Sequence, residues 1–451
     1  MKLTTAGPDP TGPPVPSMNG LPPEVLMIIY LHVDSAADMY PLSRTCQSMH
    51  SLALDPHLTA QWFLKYQPTK AMWLAAQKMR STDIMLQLLH LGASPLARHC
   101  SNSVYVTYTP LEMAALWGHP KVVEVLLQNH DVQASVSDAV DALYFAIESG
   151  NIECLKALLV PPSPAHANSR DCSGYHCSRF SPLHAAALCP NRKAPLAAKV
   201  LIEHGGACAA CDPDGQAPLH YAGASGSVPI VRLLLDTLEG PSLLCLRDRS
   251  GQTPLHKACG PSAHFEVVRT LLDAPGGLLA LAVRDGQGKT PLHVACGSGA
   301  PSWVIDCLLG TPGGPSALST PDFHGQTPLH IACGSASSRV VHILLNAPGA
   351  VDIASCVAAC DHRGQTPLHV ACSSMCFAPF NQVKAVHALF SVPGGQALVD
   401  AVDNGGRTPL RLAAGSAVEC CEVLLHAGFG VFQGLCHRLL LVVSSCVFGF
   451  A

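Results

Sequence analysis

The chain has 451 residues, of which 48% are hydrophobic and 13% charged, and its net charge is −4. The 27 basic residues are scattered against 31 acidic ones, which excludes the clustered cationic footprint that nucleic-acid binding needs. A composition this apolar and weakly charged agrees with an array of stacked helices with continuous apolar interfaces. At the amino terminus, residues 1–20 carry five prolines and no apolar run long enough for a signal-peptide core. That segment is expected to be disordered, and secretion has no support.

Residues 21–66 form a small helical domain by pattern. Pro22 and Pro23 open a helix that continues through Leu31, Asp34-Ser35 breaks it, and a second amphipathic stretch from Leu42 to Leu54 ends at Asp55-Pro56. The segment resembles the F-box family through Leu21, Pro22, Glu24, Leu31, Asp38, Leu42, Arg44, Cys46, Asp55, Pro56 and Trp62. It departs from the family at Met39-Tyr40-Pro41, where a proline falls in a stretch that the family keeps helical. The resemblance implies docking on the Skp-type adaptor of a cullin/RING ubiquitin ligase, with Leu21, Pro22, Glu24, Leu31, Leu42 and Trp62 as the partner-binding residues. The alternative is that residues 21–66 only cap the apolar end of the array that follows.

From residue 67 to 428 the chain repeats itself. Thr-Pro-Leu-His stands at Thr253, Thr290, Thr327 and Thr366, with looser copies at Thr109, Ser181, Ala217 and Thr408. The prolines at 110, 182, 218, 254, 291, 328, 367 and 409 are 72, 36, 36, 37, 37, 39 and 42 residues apart, so the first gap holds two units. The hidden unit is Asp141 to Ala146, which lacks its proline, and Ala71 to Ala76 is a more decayed first copy, giving about ten repeats. Thr is expected to cap a helix and Pro to start it. A second helix follows in each unit, from apolar spacings such as Val268, Leu271 and Leu272. Asp-x-x-Gly turns precede the motif at Asp248, Asp285, Asp322, Asp361 and Asp403, forming protruding fingers.

This pattern resembles the ankyrin repeat family: an all-α array of helix pairs with β-turn fingers, preceded here by the F-box-like module. The resemblance implies protein binding by the repeats. The candidate contact residues are Arg249, Phe323, His324, His362 and Arg363 on the fingers and Lys257 on the inner helix, where other units have Val294, Ile331 and Val370. The units exceed the ~33 residues of the family. Their surplus, as in Ala274 to Gly277 and Thr311 to Gly314, reads as elongated loop, and residues 161–180 as a larger irregular insertion.

The repeated histidines belong to the motif and by resemblance tie it to the adjoining turn, so no catalytic residue is assigned. Cys259, Cys296, Cys333 and Cys372 recur with the repeat and read as buried reduced thiols in a cytoplasmic or nuclear protein. Cys208 and Cys211, with Cys172, His176 and Cys177, have zinc-ligand types, but the first cluster lacks a C-x-x-C and no metal site is assigned. No glycine loop for phosphate and no nucleophile elbow is present, so no cofactor and no enzymatic activity are expected. Residues 429–451 form an apolar tail. Its run from Leu439 holds 13 residues, short of the ~20 of a spanning helix, which leaves a folded-back cap, an anomalous end or an anchor as readings.

Overall fold

The structure is a computed structural model that describes residues 56–66, 70–78, 82–100, 107–169, 180–335, 337–347, 352–373, 379–416, 420–421 and 423–424. The chain divides into two compact units, Met1–His166 and Ala167–Ala451. Each is a stack of helix pairs. The segment before residue 21 that is expected to be disordered, most of the F-box-like segment and the apolar tail lie outside the described residues.

In the first unit the inner helices Ala71–Lys78, Pro110–Trp117 and Val136–Ser149 lie side by side, backed by Thr82–His90, Pro120–Leu127 and Ile152–Leu159. The helix Pro56–Tyr66, which ends the F-box-like segment, packs on Thr82–His90 and buries Thr59, Ala60 and Phe63 completely. Val136–Ser149 shows what the missing proline does. With no Pro at the motif position to fix the helix start, the helix runs backwards through Asp141 to Val136 and reaches 14 residues. A two-stranded antiparallel hairpin, His99–Cys100 with Thr107–Tyr108, precedes Pro110. His99 meets Trp73 edge to face and Tyr108 meets Phe145 likewise, so the hairpin is seated on the inner helices.

In the second unit the inner helices begin at Pro182, Pro218, Pro254, Pro291, Pro328, Pro367 and Pro409, each at the first helical turn. Leu255, Ala258 and Cys259 of one inner helix, like Leu292, Ala295 and Cys296 of the next, are buried between neighbours. Small residues there let successive helices approach closely, and the Leu side chains fill the remaining gap.

The motif Thr caps its helix as expected: Thr109, Thr366 and Thr408 accept the N–H of Glu112, His369 and Arg411 at 3.3, 3.5 and 3.3 Å, and the same capping box is present at Thr253, Thr290 and Thr327. At the last three the hydroxyl also lies 2.8 Å from the Nδ1 of the motif His, and the His side chain accepts the Thr backbone N–H at 3.1 Å. The imidazole thus closes the other half of the capping box. One expectation is corrected: the surplus residues of each unit are not simply loop. They fold into an added helical turn at Gly240–Leu243, Gly277–Ala280 and, as 3-10 helix, Pro315–Ser319, burying Leu243, Ala280 and Leu318. The Pro-Gly-Gly entry is a steric requirement: Gly276 sits at φ 90°, and a Cβ on Gly277 would stand 2.1 Å from the Leu271 carbonyl oxygen.

Candidate functional site

The fingers of the second unit are joined edge to edge. Arg249 donates its N–H to the Asp214 carbonyl, Gly286 to Ser250, Phe323 to Gln287, His362 to His324 and Asn404 to Arg363, at 2.7–3.0 Å. Each finger is closed by its own Asp, whose Oδ1 accepts two backbone N–H groups of the turn: at Asp322 these come from His324 and Gln326, both at 2.8 Å. Beneath, the motif His links repeat to repeat. His256 Nε2 lies 3.1 Å from the Lys289 carbonyl, His293 3.1 Å from Gln326 and His330 3.0 Å from Gln365. Because Nε2 faces a carbonyl it carries the proton, which leaves Nδ1 as the acceptor used by Thr. Burial holds the imidazoles of His220, His256, His293 and His330 below the usual range, so they stay neutral and structural.

The finger residues picked from sequence share this edge. Arg249, Phe323, His324, His362 and Arg363 are exposed, with Phe323 59% accessible. Phe323 is not isolated: the Arg284 guanidinium stacks over its ring at 5.4 Å from the centroid while also donating to the carbonyls of Gly288 and Pro321. Arg247 repeats the arrangement one finger earlier, bonded to the carbonyls of Gly251 and Arg284. Sequence reasoning passed over both arginines, although their shared position just before the finger Asp was a legible signal. Lys257 is committed within the chain: its Nζ lies 2.9 Å from Asp248 Oδ2. Burial raises the Asp248 carboxyl, but the Ser250 hydroxyl, Lys257 and the Gln252 N–H outweigh it and hold the group below the ordinary carboxylate range.

In the first unit Glu112 replaces the motif His. It is fully buried, accepts the Thr109 N–H at 3.2 Å, and lies 3.5 Å from Arg98, which also binds Asp138 at 2.5 Å. Asp141 is buried nearby. Burial pushes the Glu112 carboxyl up to about 7, against the pull of Arg98. No sequence motif announced this group, because its members come from a loop and two helices.

Of the F-box-like residues, Leu21, Pro22, Glu24, Leu31 and Leu42 lie outside the described residues, and Trp62 falls within the helix Pro56–Tyr66. Cys208 and Cys211 turn their thiols to the carbonyls of Gly206 and Ala209, while Cys172, His176 and Cys177 lie outside the described residues. Among the described residues no group of three or more His, Cys, Asp or Glu could hold a metal ion. Among them, too, no helix is long and apolar enough to cross a membrane.

The family profiles agree with this geometry. The family profile for ankyrin repeats matches residues 72–171, 143–244, 237–313 and 301–394, and that for an F-box-like domain matches residues 18–65. Inversin of Mus musculus and of Canis lupus familiaris are each 30% identical over 155 residues, 33% of this chain and 14% of theirs. The chain thus spans about one seventh of the length of those relatives. The solved ankyrin repeat domain of Bcl-3 aligns at a TM-score of 0.42 and 26% identity, covering 54% of this chain and 98% of that one. Both matched modules are non-catalytic interaction modules, and their partners are proteins. With most of its length matched, the chain belongs to the ankyrin repeat family and carries an F-box-like domain near its amino terminus.

Proposed function

We propose that the protein is the substrate-recognition subunit of a Skp/cullin/F-box ubiquitin ligase, with residues 21–66 docking the Skp-type adaptor and the repeats holding the protein to be modified. The observation that carries this reading is the junction of the two modules in one chain. A short helical module that meets a common adaptor and an array that offers a long finger edge divide the labour of a receptor. The seating of the segment's last helix, Pro56–Tyr66, on the first repeat supports the reading in a second way, since it joins the end of the docking segment directly to the array. Capping and docking then belong to one segment.

The test is a pull-down with purified Skp-type adaptor, using the intact chain and a Leu21→Ala, Pro22→Ala, Leu42→Ala triple variant. Binding by the intact chain and its loss in a variant that keeps its helical circular dichroism supports the proposal. No binding by the folded intact chain overturns it and leaves an ankyrin scaffold whose residues 21–66 are a cap.

A further inference from the structure

The second carboxylate oxygen of the finger Asp sets three repeats apart from their neighbours. In the repeat of Asp212 that oxygen receives the Tyr221 hydroxyl at 2.6 Å, and in the next, Asp248 receives Lys257 at 2.9 Å. Tyr221 and Lys257 both stand directly after the motif His, so Oδ2 faces that position on the inner helix. At Asp403 the donor is Arg407 of the same finger, 2.8 Å away. Between them, Asp285, Asp322 and Asp361 have Val294, Ile331 and Val370 at the facing position, and none of these side chains has a donor. The hydrogen bonds of Asp285 and Asp361 all end on Oδ1, and Asp322, 3% exposed, has a buried Oδ2 with no hydrogen-bond partner. A buried carboxylate oxygen without a donor is costly, and this chain supplies one on either side of the gap.

We propose that this row takes an extended, polyproline-like segment of a partner protein that carries Lys or Arg at every third position, its cationic ends on Asp285, Asp322 and Asp361. Lys257 on Asp248 is the internal template for each contact. The spacing fits: neighbouring packed helices lie about 8–10 Å apart, and a polyproline helix advances about 9 Å in its three-residue turn. The half-buried Val294, Ile331 and Val370 receive the aliphatic stems of the basic side chains, and the exposed Phe323 flanks the row. Arg284 does not compete for these carboxylates, since its guanidinium is held on the carbonyls of Gly288 and Pro321. The proposal rests on the reading that the repeats hold a protein, and is independent of the ligase link.

The probe is a fluorescein-labelled peptide of Lys-Pro-Pro repeated four times, titrated by fluorescence polarisation against the full chain. The control peptide has the same composition with its lysines contiguous. The intact chain is expected to bind the periodic peptide at least about tenfold more tightly than the control, as charge-assisted hydrogen bonds require. Ile331→Lys, which installs the internal ion pair seen at Lys257, and Asp322→Asn, which keeps Oδ1 for the turn, are each expected to remove that preference. Equal binding of both peptides, or a preference that survives both substitutions in folded variants, overturns the site. Failure of the adaptor pull-down leaves this site standing, and failure here leaves the adaptor dock standing.

Discussion

Glu112→Gln tests whether the first unit carries a buried carboxyl where its neighbours carry an imidazole. Glu112 is fully buried and its carboxyl is raised from 4.5 to about 7, first by burial and then by Asp141 and Asp138, with Arg98 and the Thr109 N–H opposing. A folded value above the unfolded one means that the native state holds the proton more tightly. The native state is therefore unpenalised below about pH 4.5 and loses stability as pH rises to about 7. At about 1.4 kcal/mol per unit, the loss comes to about 3.5 kcal/mol above that window. A glutamine stays neutral throughout, so the variant should match the parent near pH 4 and exceed it by up to about 3.5 kcal/mol near pH 8. Urea denaturation across this range, with hydrogen exchange of the helix Pro110–Trp117 as a local readout, measures the gap. A gap that stays constant from about pH 5 to pH 8 would refute the assignment of a titrating, buried Glu112.

Two further outcomes follow from the same geometry. His330→Ala strands the Gln365 carbonyl and removes the acceptor of the Thr327 N–H, so it should cost about 2–4 kcal/mol in urea denaturation; a cost below about 1 kcal/mol would show that the imidazole link between repeats is dispensable. The thiol of Cys333 is buried and pushed up to about 12, whereas Cys245 and Cys360 are exposed. In the native protein a thiol reagent near neutral pH should modify Cys245 and Cys360 and reach Cys333 only on unfolding, and peptide mapping that finds Cys333 labelled early contradicts the packing described.

The architecture was legible because each repeat is specified locally. A proline that starts a helix, a glycine that turns a finger and small residues at an interface act within a few positions, so the Thr-Pro-Leu-His ruler located every inner helix from Pro182 onward. The finger edge was legible for the same reason, and Phe323 was found exposed on it. What sequence did not disclose depends on contacts between units. Lys257 looked like a free charge because its partner, Asp248, has its own legible job in the turn. The pairing of Arg98 with Glu112 and Asp138 joins residues up to 40 positions apart. The added helical turns escaped because Pro-Gly-Gly is ordinarily a loop signal, and only packing of Ala280 and Leu318 makes it helical. Docking by Leu21, Pro22, Glu24, Leu31 and Leu42 remains a proposal of the sequence alone.

The Pro-Gly-Gly turns alter what counts as one unit of this array. Since Gly277 lies against the Leu271 carbonyl and Gly314 against that of Leu308, each added turn is keyed to its own outer helix, and Pro315–Ser319 also packs on the next inner helix and on the next added turn, Ile353–Ala358. The segment from one Thr-Pro to the next, 37 residues in the two most regular cases, thus carries both its own seat for the turn and a face for the following turn. Repeats that carry the turn should therefore be gained or lost as whole segments beside others of the same kind, so lineages of this chain should differ in length by steps of one such segment.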